Sequence, residues 1–287
     1  MNNSLPMKTN RPLALITGAA GGLGKAFAVE CASRGWDVFL TDLSPENLET
    51  LAQGIRSSYG VDVHTHACNL TDADSRQTLF DLFSQQHLSI AALINVAGLD
   101  HEGLFYDQTV AKIQSIIRLN IEATVTMTHA MMHFRDLYRP FRIINVASLA
   151  AYYPMPVKAT YAASKRFLLD FSLALREEIR SLGATVTVLC PAGMPTNIDC
   201  IRGIDAQGWM GQVTTMDVGR VAKITIDAAL SGKAVVIPGL VNRVMQGVGA
   251  LIPTHVLAKL IGKRWLSARE KRPVESGQNG LKTVEVM

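Results

Sequence analysis

Leu13-Ala14-Leu15-Ile16-Thr17-Gly18-Ala19-Ala20-Gly21-Gly22-Leu23-Gly24-Lys25 is an apolar run of strand length that passes into a glycine-rich turn and then into residues of helical periodicity. In that order, the elements place backbone N–H groups and a helix N-terminus where a pyrophosphate can sit. Gly18 would make the turn, Gly22 would admit the phosphates, Leu23 would follow at the loop's end, and Gly24 would let the helix pack on the sheet. On this segment alone, a tight strand-to-helix turn that merely needs glycines remains an alternative.

Working outward, apolar β-branched runs alternate with helical windows along the chain. Strands are predicted at residues 13–17, 37–41, 62–67, 92–95, 142–147, 185–190 and 234–237, and helices at 23–34, 45–58 and 160–182. This alternation predicts an α/β fold: a doubly wound, seven-stranded parallel sheet of Rossmann type with helices on both faces. One domain is expected over residues 1–272, with an apolar and basic extension from about 240. The polar, aperiodic stretch 273–287 is expected to be a disordered tail. Ligands of such sheets bind beyond the carboxyl ends of the strands, so the loops there should carry the chemistry.

The bulk properties exclude several classes. A chain of 287 residues, 48% hydrophobic and 18% charged, can bury a full core. Its net charge of +4 is concentrated at the end: from Arg243 onward eight Lys or Arg face three acidic residues. The remainder is about neutral, which argues against a nucleic-acid surface. Cys31, Cys68, Cys190 and Cys200 form no C-x-x-C pair, as suits a reducing cytoplasm. The opening MNNSLPMKTNRP has no apolar stretch of signal-peptide type, and no run approaches the roughly 18 apolar residues of a spanning helix. A cytoplasmic protein is expected.

Two side-chain patterns point to chemistry. Asp42, at the end of the second strand, stands where an acidic residue takes the adenine ribose hydroxyls, although it could also cap the following helix. Tyr161 and Lys165 are four apart, on one face of a helix, with Ser148 after the fifth strand. A free tyrosine has a pKa of about 10 and is a poor base at neutral pH, so a neighbouring cation is what would make it useful.

The T-G-x-x-x-G-x-G loop, Ser148, Y-A-A-S-K at 161–165 and Asn120 in R-L-N-I together resemble the short-chain dehydrogenase/reductase (SDR) family over about residues 12–238. The resemblance implies a catalytic set of Asn120, Ser148, Tyr161 and Lys165. Asn120 would hold a water that links Lys165 to solvent, and Lys165 would also bind the nicotinamide ribose. Asn69 and Leu70 would contact adenine, with Asn where the family usually has Asp. Asn95, Ala97 and Gly98 resemble the family's N-N-A-G, with Val96 as a departure, and would hold the sheet and the cofactor wall together as part of the cofactor site. Pro191, Gly193 and Thr196 resemble its P-G-x-x-x-T loop, with Ala192 where glycine is usual, and Thr196 would reach the carboxamide. The expected cofactor is NAD, because a carboxylate at Asp42 would accept both ribose hydroxyls and repel a 2′-phosphate. In the implied mechanism, Ser148 hydrogen-bonds the substrate oxygen, Tyr161 exchanges its proton, and a hydride passes directly to or from the nicotinamide.

Other features read as structural. His129 and His133 have metal-ligand spacing but no acidic residue between them, and His64 and His66 lack a third ligand, so no metal is assigned. Met127, Met131 and Met132 read as packing. The glycine-punctuated segment between Pro195 and Thr215, with Trp209 and Met210, suggests a lid, and Tyr152, Tyr153, Met155 and Met194 suit the same pocket. The uncharged stretch 244–258, followed by Lys259, Lys263, Arg264 and Trp265, could be a subunit interface, a cover over the pocket or a weak membrane-surface contact. The expected substrate is a hydrophobic alcohol or ketone (hydroxysteroid, acyl or alicyclic), and the expected assembly is a homodimer or homotetramer. A non-catalytic, nucleotide-binding regulatory protein on the same fold is the alternative function.

Overall fold

The computed structural model describes residues 11–194 and 214–270. Thr196, the proposed lid residues Trp209 and Met210, and the tail 273–287 lie outside the described residues.

Seven strands form one parallel sheet: β1 (Leu13–Thr17), β2 (Asp37–Asp42), β3 (Val63–Ala67), β4 (Ala92–Asn95), β5 (Phe141–Val146), β6 (Ala184–Leu189) and β7 (Val235–Val236). Their order is β3-β2-β1-β4-β5-β6-β7, so the chain reverses its direction of winding between β1 and β4. A crevice opens at such a switch point, outside the carboxyl ends of the strands. Because both faces are covered, successive residues serve opposite cores. Ala14 and Ile16 pack on one side with Phe27 and Val221, while Leu13 and Leu15 pack on the other with Phe83 and Met131. A strand buried twice reads as a continuous apolar run, which is why β1 was legible.

Helices α1 (Gly22–Ser33), α2 (Pro45–Tyr59) and α3 (Ala73–Gln85) make the early crossovers. The next pair, α4 (Val110–Ile117) and α5 (Thr124–His133), is joined without a break by a wider π-type stretch at Arg118–Ala123 that contains Asn120. Such stretches recur at functional sites because they displace one side chain from regular helical register. The long α6 (Ala159–Glu178) carries Tyr161 and Lys165, and α7 (Val218–Leu230) returns the chain to β7. Two helices then follow, α8 (Leu240–Ala250) and α9 (Thr254–Glu270).

The element bounds differ from the sequence reading in instructive ways. β5 and β6 each begin one residue early, because Phe141 pairs with Ala184 across the sheet. β7 shrinks to two residues, ahead of Pro238, which has no N–H to continue a ladder. The helix expected over 160–182 ends at Glu178, and a single tight turn then closes on Gly183 at φ +68°.

The glycine loop owes its path to two missing side chains. Gly18 has φ +64°, and a Cβ on it would stand 2.8 Å from the Ala97 backbone. A Cβ on Gly24 would stand 2.0 Å from the Gly18 carbonyl oxygen. Gly24→Ala should therefore force α1 off the loop and destabilise the protein by at least about 2 kcal/mol, as overpacking does. Gly54→Ala, in the middle of α2 with nothing within 4 Å of the added carbon, should instead stabilise by roughly 0.5–1 kcal/mol. Denaturant unfolding of the two variants against wild type measures both.

Candidate active site

A cavity of about 1540 Å³ runs along the carboxyl ends of the strands, lined at one end by the glycine loop and at the other by α8 and α9. The glycine-loop end of the cavity is lined by Gly18, Gly22, Leu23, Gly24, Asp42, Asn69, Leu70, Ala97 and Gly98, all of them residues that the sequence reading proposes for the cofactor. Thr17 holds the two walls of the switch point together: its hydroxyl accepts the Val96 and Ala97 N–H groups at 3.1 and 3.2 Å. Helix α1 starts in the cavity at Gly22, with no side chain capping its first N–H groups and no acidic residue in its first turn. Those donors suit an anion.

Asp42 does not cap a helix. Ser44 is the N-cap of α2, accepting the Asn47 N–H, while the Asp42 carboxylate accepts Ala20 N–H at 2.9 Å and Leu43 N–H at 2.7 Å. It is thereby tied to the glycine loop at the cavity wall. Asn69 Oδ1 accepts both the N–H and the hydroxyl of Thr71, leaving the Nδ2 amide as its donor.

Asn95 departs from the expected cofactor wall. It does not line the cavity; its Nδ2 donates to Thr128 Oγ1 and Asn145 Oδ1 inside the protein, and Asn145 in turn donates to Ser172. The chain of amides ties β4 and β5 to α5 and α6. The asparagine is the last residue of β4 and points into the layer beneath, whereas the loop after it turns outward. Pro191 and Gly193 do line the cavity, with the Pro191 carbonyl fixed by the Leu149 N–H at 2.8 Å.

The chemical end contains Ser148, Tyr161 and Lys165 together. Ser148 follows β5, and its Oγ accepts the Ala150 N–H at 3.1 Å, which orients the hydroxyl proton away from that bond. Lys165 is 4% exposed, donates to the Val146 carbonyl at 2.9 Å and stands 5.8 Å from the centre of the Tyr161 ring. Burial pushes its pKa down to about 8, against the raising influence of Asp100 and Cys190. At neutral pH the buried group is still an ammonium, and its field favours a phenolate over a phenol.

Asn120 stands one layer back. It is completely buried, with Oδ1 accepting Leu99 N–H and Nδ2 donating to the Leu99 carbonyl and to Ser164 Oγ. All of its side-chain bonds thus go to the loop after β4 and to α6. A Cβ on Gly98 would lie 3.2 Å from both Asn120 Oδ1 and Lys165 Nζ. A side chain there would crowd both groups.

Several cavity residues escaped the sequence reading. Lys158 forms an ion pair with Asp100 at 2.6 Å, and its ammonium lies 5.6 Å from the Tyr161 ring centre and 5.7 Å from that of Trp265. The signal existed: Lys158, Tyr161 and Lys165 follow an i, i+3, i+7 pattern on one helix face. Just before Lys158, Val157 sits at φ +62°, a costly conformation for a β-branched residue, with its carbonyl accepting Gly103 N–H at 2.8 Å. Of the suggested pocket residues, Tyr153, Met155 and Met194 line the cavity, but Tyr152 instead hydrogen-bonds the buried Cys190 thiol, which burial pushes up to about 12.

The apolar C-terminal stretch is a cover. Val244, Met245, Val248, Ile252, Ile261 and Trp265 line the cavity. Two glycines allow the approach: a Cβ on Gly249 would stand 2.5 Å from Tyr153 Cε1, and one on Gly262 would stand 3.1 Å from Pro156 Cγ. His129 and His133 lie edge to face, 5.5 Å apart between ring centres, and no group of three His, Cys, Asp or Glu fit to hold a metal occurs among the described residues.

A glycine cradle facing a Ser, Tyr and Lys set across the switch point of a doubly wound sheet defines a Rossmann-type nucleotide-binding protein. Residues 12–202 match the short chain dehydrogenase family, and the chain belongs to that family. It is 33% identical over 195 residues to a very-long-chain 3-oxoacyl-CoA reductase of Laccaria bicolor, covering 67% of this chain and 58% of that protein. It is 33% identical over 187 residues to the 17-beta-hydroxysteroid dehydrogenase type 3 of Mus musculus, covering 64% of this chain and 60% of that protein. The chain thus spans less than two thirds of the length of these relatives. A solved short-chain dehydrogenase from Sphingobium yanoikuyae in complex with NADPH superposes with a TM-score of 0.71 at 28% identity, covering 84% of this chain and 96% of that one.

The buried ammonium gives a testable consequence for stability. Lowering the Lys165 pKa from 10.5 to about 8 corresponds to about 3 kcal/mol of burial cost, and loss of its bond to Val146 would return about 1 kcal/mol. Lys165→Met should therefore stabilise the cofactor-free protein by about 2 kcal/mol below pH 8. Above that pH the folded wild type sheds the proton while the unfolded chain keeps it to about 10.5, so wild type gains and the difference should close. Unfolding free energies at about pH 7 and about pH 10 test the sign and the window.

Proposed function

We propose that this protein is an NAD-dependent oxidoreductase that interconverts a secondary alcohol and a ketone on a substrate with a hydrophobic body. The observation that carries the reading is Tyr161, set in a cavity beside a buried ammonium, with apolar helices over the substrate end. The names of the relatives, which speak of a long acyl chain and of a steroid, agree with such a lining.

The bound nicotinamide would supply the acceptor or donor of the hydride. This chain's residues do the rest. Ser148 turns its hydroxyl proton toward the substrate oxygen, because its own oxygen is already engaged by Ala150. Tyr161 takes the proton of an alcohol or returns it to a ketone oxygen as that oxygen gains charge. The Lys165 ammonium favours the phenolate over the phenol, and Lys158 adds a second positive charge near the ring, moderated by Asp100. Asn120 keeps the β4 loop and α6 in register, and so keeps Tyr161 and Lys165 where they act. The cover excludes water, which strengthens each of these electrostatic effects.

The choice of NAD rests on Asp42. Its carboxylate ends β2 at the cavity wall, where it can accept hydrogen bonds from two ribose hydroxyls but would repel a 2′-phosphate. Lys25 is the cation in the adjoining glycine loop that lines the same cavity, yet it lies beyond Gly24 rather than beside Asp42 in the chain.

Tyr161→Phe should lower turnover of any accepted alcohol by at least about a thousandfold, within the usual contribution of a proton-transfer group, while the dissociation constant for NAD changes little. Retention of a tenth of the wild-type rate would remove Tyr161 from that role. For the cofactor, the ratio of kcat/KM with NAD to that with NADP should be high in wild type, reduced in Asp42→Ala and reversed in Asp42→Arg. A wild-type preference for NADP, or a ratio unmoved by Asp42→Ala, would show that this carboxylate only braces the loop.

A further inference from the structure

The outer face of α8 is unpartnered in a way that the catalytic reading does not use. Leu240, Val244, Val248 and Leu251 follow one another at spacings of four, four and three along one stripe, and are 70%, 56%, 56% and 85% exposed. The helix is not loosely attached. Asn242, on its opposite side, is buried and donates to the Thr214 and Pro238 carbonyls at 3.1 and 2.8 Å, and Gly249 is pressed against Tyr153.

Two observations say what meets this stripe. The first is charge: between Asp227 and Glu270 the sequence has no acidic residue, while Lys233, Arg243, Lys259, Lys263, Arg264 and Arg269 all fall there. Among these, Arg243, Lys259 and Lys263 are exposed on the same two helices as the stripe. The second is continuity. Val244 and Val248 belong both to the exposed stripe and to the cavity lining, so apolar surface runs from the outside of α8 into the substrate end of the cavity.

We propose that α8 and the start of α9 dock this protein on an anionic lipid surface, with Leu240, Val244, Val248 and Leu251 entering the headgroup boundary and Arg243, Lys259 and Lys263 meeting lipid phosphates or carboxylates. No helix among the described residues is long and apolar enough to cross a membrane, so the contact is peripheral. A second copy of the chain fits the face less well, because a two-fold contact would bring these cations against their own counterparts. Lipid is also a medium from which an apolar substrate can enter the cavity over Val244 and Val248. That last step rests on the catalytic reading above, whereas docking itself does not.

The test is cosedimentation of the purified full chain with phosphatidylcholine vesicles, with and without phosphatidylserine, which reads binding without catalysis. Binding should require phosphatidylserine and weaken as salt is raised. The double variant Leu240→Glu/Leu251→Glu, at two positions outside the cavity lining, should lose at least about tenfold in partitioning, with wild-type turnover of a small water-soluble ketone. Arg243→Ala/Lys259→Ala, a change that removes only exposed charge, should also lose binding. Failure of wild type to bind phosphatidylserine vesicles would overturn the proposal, as would binding unmoved in both variants. Lipid-independent self-association abolished by Leu240→Glu/Leu251→Glu would overturn it too, by showing that the stripe is a subunit interface.

Discussion

Backbone meets backbone where β1 and β4 diverge, and everything functional in this protein depends on that approach. Gly18 can lie against Ala97, and Gly24 against the Gly18 carbonyl, only because neither carries a side chain. The Thr17 hydroxyl, accepting two N–H groups from the β4 loop, then fixes the distance. The same loop continues to Gly98, whose missing side chain leaves room for Asn120 and Lys165. Nucleotide cradle and proton-transfer machinery are thus two ends of one close-packed junction. Strain at one end is felt at the other, since packed interiors transmit displacement.

The second organising element is electrostatic. A lysine nearly without exposure is an unfavourable thing to fold around, and the pKa of about 8 for Lys165 measures the penalty. The protein keeps it ordered through the Val146 carbonyl and offsets part of the cost with the more distant Asp100. Asp100 also pairs with Lys158, so one carboxylate balances both cations that flank Tyr161. Stability is given up here for a field aimed at a phenol, a common arrangement where function and packing conflict.

How much of this could be read from the chain varied with the kind of constraint. The sheet was legible because a parallel strand buried on both faces is an unbroken apolar run, and its bounds moved only where pairing partners or Pro238 intervened. Tyr161 and Lys165 were legible because a spacing of four on one helix face is geometry written directly in sequence, and Ser148 because it follows the fifth strand. Asn95 was misplaced because its position at a strand end does not say to which side of the sheet it points; the answer lay in Thr128 and Asn145, distant in the chain. Lys158 was missed for a similar reason: it meets Trp265 only after α9 folds back over the site. The sequence offers three readings of the apolar C-terminal stretch, with interface or cover preferred; Gly249 and Gly262 show that its inner side approaches Tyr153 and Pro156.

The order of these parts along the chain has a consequence for how the protein is made. The sheet, the glycine loop and the Ser148, Tyr161 and Lys165 set are all encoded before Pro238, whereas the helices that roof the cavity come afterwards. Synthesis runs from the N-terminus, so the sheet and its loops leave the ribosome before α8 and α9 do. A growing chain therefore carries every part of its floor before it has a ceiling, and Tyr153, Met155 and Leu149 have no cover until α8 and α9 arrive. During that interval the nascent protein presents a greasy hollow to whatever is nearby. The arrival of α8 and α9 ends that exposure.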